Sequence, residues 1–378
     1  MLQSIKKVEM PELFFDLVYV YAISQMTHVI HDVVHFSDLI QQLFFLVVLL
    51  VIFVNTWMFE TVFTNRYGSN NLVDILFLML DMSLLLFMSN SFSGAINHWL
   101  HPFMLTSALM TITLVTQYLI VFKKKKSAID RKIARIFVVI LVIRAIFFLM
   151  AVYSKTISIG LSFMLTGVLI GWVLPAFFSK TMAMRPINFS HLLERLTLLT
   201  IVVFGESIVE VASFFTVHTI SIQAYLFFSI ICGMFLMYIT QFDHFINVRQ
   251  NDPTGIYLIY LHYLIIFGIT FVSVAIELIG ETGTDLTLTI SSAFVGLFCF
   301  YLGIFMATKY NKESINLPSY FWIYVFSVTL VVFIISLISR STGVFIILTA
   351  SNIIFIEVLY IFFLNRSRNF VIQNADER

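Results

Sequence analysis

Runs of about 20 apolar residues recur along almost the whole chain, and each is long enough to cross a bilayer as one helix. Hydrophobic residues make up 60% of the 378 residues and charged residues only 11%, whereas soluble domains average about 25% charged residues. We therefore predict an all-α, polytopic integral membrane protein. The predicted spans, about twelve in number, lie near residues 13–33, 40–62, 72–92, 102–122, 133–153, 157–178, 191–213, 222–243, 256–278, 288–308, 319–338 and 343–364.

The positively charged side chains indicate the orientation. All but three of the 22 Lys and Arg residues fall on one side of the predicted spans, the exceptions being Arg144, Lys155 and Arg340. Because Lys and Arg concentrate on the cytoplasmic side of membrane proteins, we predict a multi-pass protein of the cell membrane with both termini in the cytoplasm. The Lys run at 123–126 fits this role, with binding of anionic lipid head groups as a secondary one.

The two halves of the chain show a weak internal repeat. When the segment that begins at residue 12 is laid on the segment that begins at residue 194, Ser24 falls on Glu206 and His28 falls on Glu210. The implied units are two six-helix transmembrane repeats, 1–185 and 186–378. Since six spans place both repeats in the membrane the same way round, this is the arrangement of parallel-repeat transporters.

Two motifs resemble those of the bacterial low temperature requirement protein A (LtrA) family. They are Glu12-Leu-Phe-Phe-Asp16 in the first span, and His191-Leu-Leu-Glu-Arg195 with Phe204-Gly-Glu-Ser207 in the seventh. Further similarities are Trp57, Thr64-Asn65-Arg66 and His262; the departures are Thr197 in place of Gly, and Tyr19 and Tyr21 in place of Phe. The resemblance covers essentially the whole chain and implies a polytopic membrane protein, but no particular biochemical activity.

Glu206 and Glu210 lie within the seventh span, where ionisable side chains are costly and usually face a protein interior or a wet cavity. They share one helical face. One interpretation is a hydrogen-bonded carboxyl that fixes helix packing. The other is a central substrate- or ion-binding site, which we predict to contain Glu206 and Glu210 with Ser24, Gln25 and His28 of the first span.

Glu12 and Asp16 are spaced four residues apart at the cytoplasmic end of the first span, and Glu194 and Arg195 lie at the matching depth of the seventh. Acidic residues stabilise a helix N-terminus electrostatically, which is one interpretation of the pair. The alternative is an inner gate or charge network, in which Arg195 forms a salt bridge with Glu12 or Asp16.

Four other charged residues are candidate members of this network. Asp81 and Arg144 lie mid-way along the third and fifth spans, and we predict that they pair because an unpaired charge there is expensive. Such a pair is either structural or part of transport coupling. Glu60 and Asp243 lie near the inner ends of the second and eighth spans and could join the gate.

Other kinds of site find little support. His31 and His35 are spaced like metal ligands and lie near Asp32 and Asp38, but solvated residues at the membrane interface are the preferred interpretation, so no metal is predicted. No phosphate loop, dinucleotide fingerprint, zincin helix or nucleophile elbow is present in the sequence. We therefore predict no cofactor and no nucleic-acid partner.

The favoured function is a secondary transporter or a proton- or cation-coupled permease, and not an enzyme. Its partners would be the lipid bilayer and a small solute or ion, the proton among them, and a homodimer is allowed for. Two alternatives stay open. One is an intramembrane enzyme that acts on a lipid-like substrate with Glu and His as acid and base, and the other is a stress-response membrane scaffold whose charges are structural.

Overall fold

The computed structural model describes residues 6–27, 36–91, 96–215, 221–250, 252–280, 284–313, 315 and 317–376. These residues form helices joined by short connections, and no β-strand occurs among them apart from one isolated bridge between Ile246 and Asn311. The long helices are α1 Met10–Thr27, α2 Phe36–Tyr67, α3 Leu72–Ser89, α4 Ile96–Lys124, α5 Ala128–Val152, α6 Ile157–Phe177, α7 Phe189–Ala212, α8 Ile222–Ile239, α9 Ile256–Gly280, α10 Leu286–Ala307, α11 Ser319–Ser339 and α12 Thr342–Asp376.

Three short helical segments complete the described elements. Ser179–Met182 is a single turn after α6, Thr240–Phe245 is a π-helix that continues α8, and Thr308–Tyr310 is a 3₁₀ turn after α10. Several helices begin at polar side chains that accept a hydrogen bond from the backbone of the first turn, as Ser and Asp do at N-caps. These caps include Asn71, Ser127, Thr156, Ser221 and Asp285.

The all-helical, many-spanning architecture predicted from the sequence is confirmed in its coarse form. Within the described residues, ten helices are long and apolar enough to cross a membrane. Helices α1 and α7 are not among these ten, because α1 carries Glu12 and Asp16 and α7 carries several charged side chains. The count of twelve spans therefore stays a prediction, and so do the two six-helix repeats.

The chain forms two compact units. The first comprises the described parts of Met1–Asp32, Leu39–Leu199 and Asn251–Ile259, and the second those of Val33–Asp38, Thr200–Gln250 and Tyr260–Arg378. The boundary between them falls inside α7, after Leu199. These bounds differ from those of the predicted repeats, 1–185 and 186–378, which rest on the sequence alone.

Helix α2 runs through the core of the first unit. Most of its stretch Leu43–Tyr67 is buried, and aromatic side chains fill the space around it. Phe63 of α2 meets Tyr118 of α4 edge to face at 5.0 Å between ring centroids, and Tyr118 stacks on Phe137 of α5 at 4.7 Å. Polar side chains of neighbouring helices can therefore meet those of α2 in the interior of this unit, away from lipid.

In the second unit, glycines allow α9 and α10 to touch through their backbones. A Cβ atom built on Gly268 would lie 2.7 Å from the carbonyl oxygen of Gly296 and 2.6 Å from Cβ of Phe300. A Cβ on Gly303 would lie 2.6 Å from Cγ1 of Ile265. Small residues at such contacts are the usual means of close helix packing in membranes, where apolar burial alone does not favour association.

We expect the substitution Gly268→Ala to destabilise the second unit, because its methyl group would push against the backbone of α10. Overpacking of this kind costs about 1–3 kcal/mol, which thermal unfolding of the purified protein in detergent would record as a lower Tm. Gly343→Ala is the matched control, since a Cβ at Gly343 meets nothing within 4 Å. Equal melting temperatures for the two variants would contradict this packing.

Candidate functional site: a buried charge cluster in the first unit

Arg195 of α7 forms a buried ion pair with Asp16 of α1. Arg195 is 0% exposed and Asp16 is 2% exposed. The guanidinium donates from Nε to Oδ2 of Asp16 at 3.2 Å and from Nη2 to Oδ1, so the carboxylate is held by two parallel hydrogen bonds, the strongest form of this interaction. The pairing of Arg195 with Asp16 that the sequence suggested is thus present, whereas its role as a gate stays a prediction.

Trp57 of α2 supports this pair from two directions. Its indole Nε1–H donates to Oδ1 of Asp16 at 2.7 Å, and Cζ of Arg195 lies over its ring at 5.4 Å from the centroid. A cation over an indole face is attracted by the ring quadrupole, and the attraction grows when water is excluded. The three helices α1, α2 and α7 are therefore tied together at one point.

Glu12 lies one turn before Asp16 and joins the same cluster. Its Oε1 is 3.8 Å from Nη1 of Arg195, and its Oε2 accepts a hydrogen bond from the backbone N–H of Glu9 at 3.0 Å. The same Oε2 lies 3.0 Å from Nε2 of His191, which is fully buried. Arg195 and His191, four residues apart on α7, thus present both of their side chains to the acidic face of α1.

Asn65 of α2 determines which nitrogen of His191 carries the proton. Its Oδ1 accepts from the backbone N–H of Asn188 at 2.8 Å, and its Nδ2 donates to the carbonyl oxygen of Asn188 at 2.9 Å. These backbone partners fix the amide orientation, so the Nδ2 that lies 3.1 Å from Nδ1 of His191 is a donor. In this arrangement Nδ1 accepts from Asn65, and Nε2 faces Oε2 of Glu12.

The spacing of polar residues on α2 explains why they meet the cluster. Thr56, Glu60 and Thr64 recur every four residues and lie on one face of the helix, along about 12 Å of its length. Thr64 accepts from Nη1 of Arg195 at 3.2 Å through its hydroxyl. Polar side chains on a buried helix must find partners inside the protein, and for Thr64 helix α7 supplies the partner.

A cleft connects the cluster to the surface. It has a volume of about 160 Å³ and is lined at its mouth by Lys6, Glu9 and Asp74, with Glu12 in its wall. The ammonium of Lys6 donates to the carbonyl oxygens of Thr64 and Gly68, at 2.5 and 3.2 Å, at the C-terminal end of α2. Burial lowers the pKa of Lys6. Glu12 and Thr64 therefore belong to both the cleft and the buried cluster.

Deeper polar side chains of the first unit have hydrogen-bonding partners on neighbouring helices. Gln117 donates to Glu60 at 3.3 Å, and Thr113 donates to Asp81 at 2.5 Å. Arg144 donates to Thr56 at 2.8 Å, and its Cζ lies over the rings of Phe59 and Phe148 at 5.3 and 5.0 Å. These contacts place Glu60, Asp81 and Arg144 in the interior, while the direct pairing of Asp81 with Arg144 stays a prediction.

The remaining predicted residues lie apart from the buried cluster or have little contact with it. Glu194 is exposed although it adjoins Arg195, and Asp243 is exposed on the π-helix. Ser24 and Gln25 are half-buried on α1, within the first unit. Glu206 and Glu210 are half-buried on the part of α7 that belongs to the second unit. The central site therefore stays a prediction, and its fifth member, His28, lies outside the described residues.

The second unit holds a buried polar network without charged members. Tyr360 donates to Oε1 of Gln241 at 2.5 Å, and Nε2 of Gln241 donates to Oδ1 of Asn311 at 2.8 Å. Nearby, the hydroxyl of Tyr238 lies 3.2 Å from Nε2 of His262, and the ring of Phe242 packs on both side chains. Gln241 and Phe242 belong to the π-helix, a departure from regular α-helix that is frequent at functional sites.

Comparison with protein-family models shows which family the chain belongs to. The model of the bacterial low temperature requirement A protein (LtrA) matches residues 7–355. The chain belongs to the LtrA family. This confirms the resemblance seen in the two motifs, and together with the ten apolar helices it indicates a multi-pass membrane protein. A search of curated proteins finds no match to this LtrA protein.

Three members of the buried charge cluster were not predicted from the sequence. His191, Trp57 and Asn65 were noted only as part of family motifs, yet they hold Glu12, Asp16 and the start of α7. The four-residue spacing of His191 and Arg195 was the available signal, since it places both on one helical face. The predicted partner at this depth, Glu194, falls on a different face.

No metal centre is found in the part of the chain that the structure describes. Within that part, no three His, Cys, Asp or Glu side chains are grouped closely enough to hold an ion. The histidines weighed as a metal patch, His31 and His35, lie outside the described residues together with Asp32. The chemistry of the described cluster is therefore that of ion pairs and proton-bearing groups.

We expect Asp16 and Arg195 to be strongly coupled in stability. Removing one partner leaves a buried charge without compensation and costs about 3–5 kcal/mol, so Asp16→Asn and Arg195→Met should each lower the Tm in detergent markedly. The double variant should lose much less than the sum of the two single losses. Glu194→Gln is the control and should melt like the parent protein; additive losses in the double variant would contradict a coupled buried pair.

Proposed function

We propose that this LtrA protein is a secondary transporter or permease coupled to protons or cations, with no enzymatic reaction of its own. The observation that supports the proposal best is the buried charge cluster of Glu12, Asp16, His191 and Arg195, reached from the surface by a cleft. Ionisable residues inside membrane proteins usually mark ion pathways and proton relays because their burial is expensive. A protein that needed only stability would gain little from burying them.

Charged groups at mid-helix positions of the first unit add to this support. Glu60, Asp81 and Arg144 are all buried, on α2, α3 and α5. Together with the cluster they form a series of titratable or charged side chains in the interior of one unit. Pairs of ionisable groups with a path to water are the arrangement that proton-coupled transport requires.

For the transported solute or ion, we propose the site that the sequence repeat indicates. It is built on Glu206 and Glu210, with Ser24, Gln25 and His28 as their counterparts. The half-burial of Glu206 and Glu210 is compatible with carboxylates that face a wet space, and a Cβ at neighbouring Gly205 meets nothing within 4 Å. In this proposal Glu12, Asp16, Glu194, Arg195, Glu60 and Asp243 belong to the gate or charge network of the inner side.

The proposed setting is the cell membrane, with twelve spans in two parallel six-helix repeats and both termini in the cytoplasm. The distribution of Lys and Arg supports this orientation. Its partners are then the lipid bilayer and a small solute or ion, with a homodimer as one allowed assembly. Short loops between the described helices are compatible with a protein that works within the bilayer.

Transport can be tested in liposomes that contain the purified protein and the pH indicator pyranine. Gradients of Na⁺, K⁺, amino acids, sugars, organic acids and polyamines are applied one at a time, and the internal pH is followed. We expect at least one gradient to drive proton movement. Glu206→Gln and Glu12→Gln should reduce the initial rate about tenfold or more, since each removes a carboxylate from the proposed pathway.

Glu313→Gln serves as the control, because it neutralises an exposed carboxylate that belongs neither to the proposed site nor to the charge network. It should retain the rate of the parent protein. Proton movement that is unchanged in Glu206→Gln and Glu12→Gln would contradict the assigned sites. Lipid turnover without proton movement would favour an intramembrane enzyme, and a defined membrane partner without any flux would favour a scaffold.

A further inference from the structure

Asn65 and Asn188 form a clasp between α2 and the start of α7. The side chain of Asn65 makes two hydrogen bonds to the backbone of Asn188, one to its N–H at 2.8 Å and one to its carbonyl oxygen at 2.9 Å. Asn188 is also the N-cap of α7, since its Oδ1 accepts from the backbone N–H of His191 at 3.2 Å. Rotation of the Asn65 amide would therefore break both hydrogen bonds that hold Asn188, the residue before α7, to α2.

The group that touches this clasp is the imidazole of His191. Nδ1 of His191 accepts from the same Nδ2 of Asn65 that holds the carbonyl of Asn188. Its Nε2–H points to Glu12 at 3.0 Å. Nδ1 is thus the position at which His191 can take up a proton, and it is now used as a hydrogen-bond acceptor.

We infer that His191 binds a proton at Nδ1 and that this proton opens the Asn65–Asn188 clasp. The inference rests on the proposed proton coupling and names the residue that receives the proton. The geometry does not allow a protonated Nδ1 and a closed clasp at the same time. A protonated Nδ1 would point an N–H at the N–H groups of Asn65, donor against donor. If Asn65 turned its oxygen towards His191, both hydrogen bonds to the backbone of Asn188 would be lost.

The step involves one proton and no other bond chemistry. A proton from water becomes bound to the lone pair of Nδ1, and the imidazole becomes an imidazolium. The proton on Nε2 stays on that nitrogen and points to Glu12. Because proton binding and the closed clasp exclude each other, each weakens the other by the same factor. Acidification therefore favours the open clasp.

The charged side chains around His191 are unevenly matched. Glu12 is the one charged side chain within ion-pair distance of His191 among the described residues. Two carboxylates, Glu12 and Asp16, face a single buried guanidinium, Arg195, so an imidazolium would supply the missing positive charge. The other charged groups on the elements packed here are Lys6 and Glu9 at the mouth of the cleft, Glu60 and Arg66 on α2, and exposed Glu194 on α7.

The cleft supplies a route for water to this site. Glu12 lines it and also accepts from His191, so only one side chain separates the cleft from the imidazole. Lys6 lies at the mouth and is held by the carbonyl oxygens of Thr64 and Gly68. The proton-binding site is thus inside the protein but not isolated from its surface.

The clasp can be tested in the full-length protein in nanodiscs. Hydrogen exchange of the Asn188 amide, expressed as protection relative to the intrinsic rate at each pH, reports the bond to Asn65. Nitrogen-15 NMR of labelled histidine, with His191→Gln used for assignment, reports the protonated nitrogen. At high pH we expect the proton on Nε2, and on acidification we expect Asn188 protection to fall about tenfold or more as its bond is lost.

Variants separate this effect from general acid unfolding. In His191→Gln the protection of Asn188 should no longer depend on pH, whereas Glu313→Gln, at an exposed carboxylate outside the network, should behave like the parent protein. In Asn65→Asp one carboxylate oxygen can accept from a protonated Nδ1 while the other still accepts from the N–H of Asn188, so the protection of Asn188 should lose its dependence on pH. An Nδ1–H tautomer at high pH, or pH-independent protection in the parent protein, would overturn the inference.

The clasp and the transport proposal can fail separately. Proton flux in liposomes with pH-independent protection of Asn188 would remove the clasp and leave transport standing. Protection of Asn188 that titrates with His191, in a protein that moves no protons under any gradient, would leave the clasp standing and remove transport.

Discussion

The buried guanidinium of Arg195 is the constraint on which the first unit depends. A charge taken out of water must be compensated by partners of good geometry, or folding does not pay the desolvation cost. Asp16 supplies two hydrogen bonds, Trp57 a ring face, and Thr64 a hydroxyl. These partners come from α1 and α2, so the helices can pack in only one register around α7. The hydrogen bonds of the buried polar side chains thus determine how these helices pack, whereas apolar contacts are compatible with many arrangements.

Helix α2 makes this compensation possible because it is buried along most of its length. Its polar residues recur with the helical period, and each meets a different neighbour: Thr56 meets Arg144, Glu60 meets Gln117, and Thr64 meets Arg195. In a lipid-facing helix these side chains would find no partners. In the second unit, by contrast, the described buried network around Gln241 is neutral. Most of the buried charged residues that the structure describes lie in the unit that contains α2, whereas Glu277 and Glu357 are buried in the second unit.

The positions of the helices and the pairing of Asp16 with Arg195 could be predicted from the sequence, since length, apolarity and depth determine them. The direction in which a side chain points could not. In a soluble helix the apolar stripe reveals the buried face, but in a membrane helix apolar residues cover both the lipid-facing and the protein-facing sides. Glu194 and His191 were therefore indistinguishable by depth, although one is exposed and the other buried. The amide of Asn65 depends on a backbone partner 123 residues away, which no local pattern encodes.

Helix α7 links the two kinds of ionisable group in this LtrA protein. Its first turns carry His191 and Arg195 in a closed, paired cluster, whereas Glu206 and Glu210 near its other end are half-buried. The boundary between the two compact units falls between these groups, after Leu199. The paired cluster therefore belongs to the first unit, and Glu206 and Glu210 belong to the second. Within the first unit the Asn65–Asn188 clasp holds the N-cap residue of α7 against α2, so a proton that opens it acts on the end at which this helix begins.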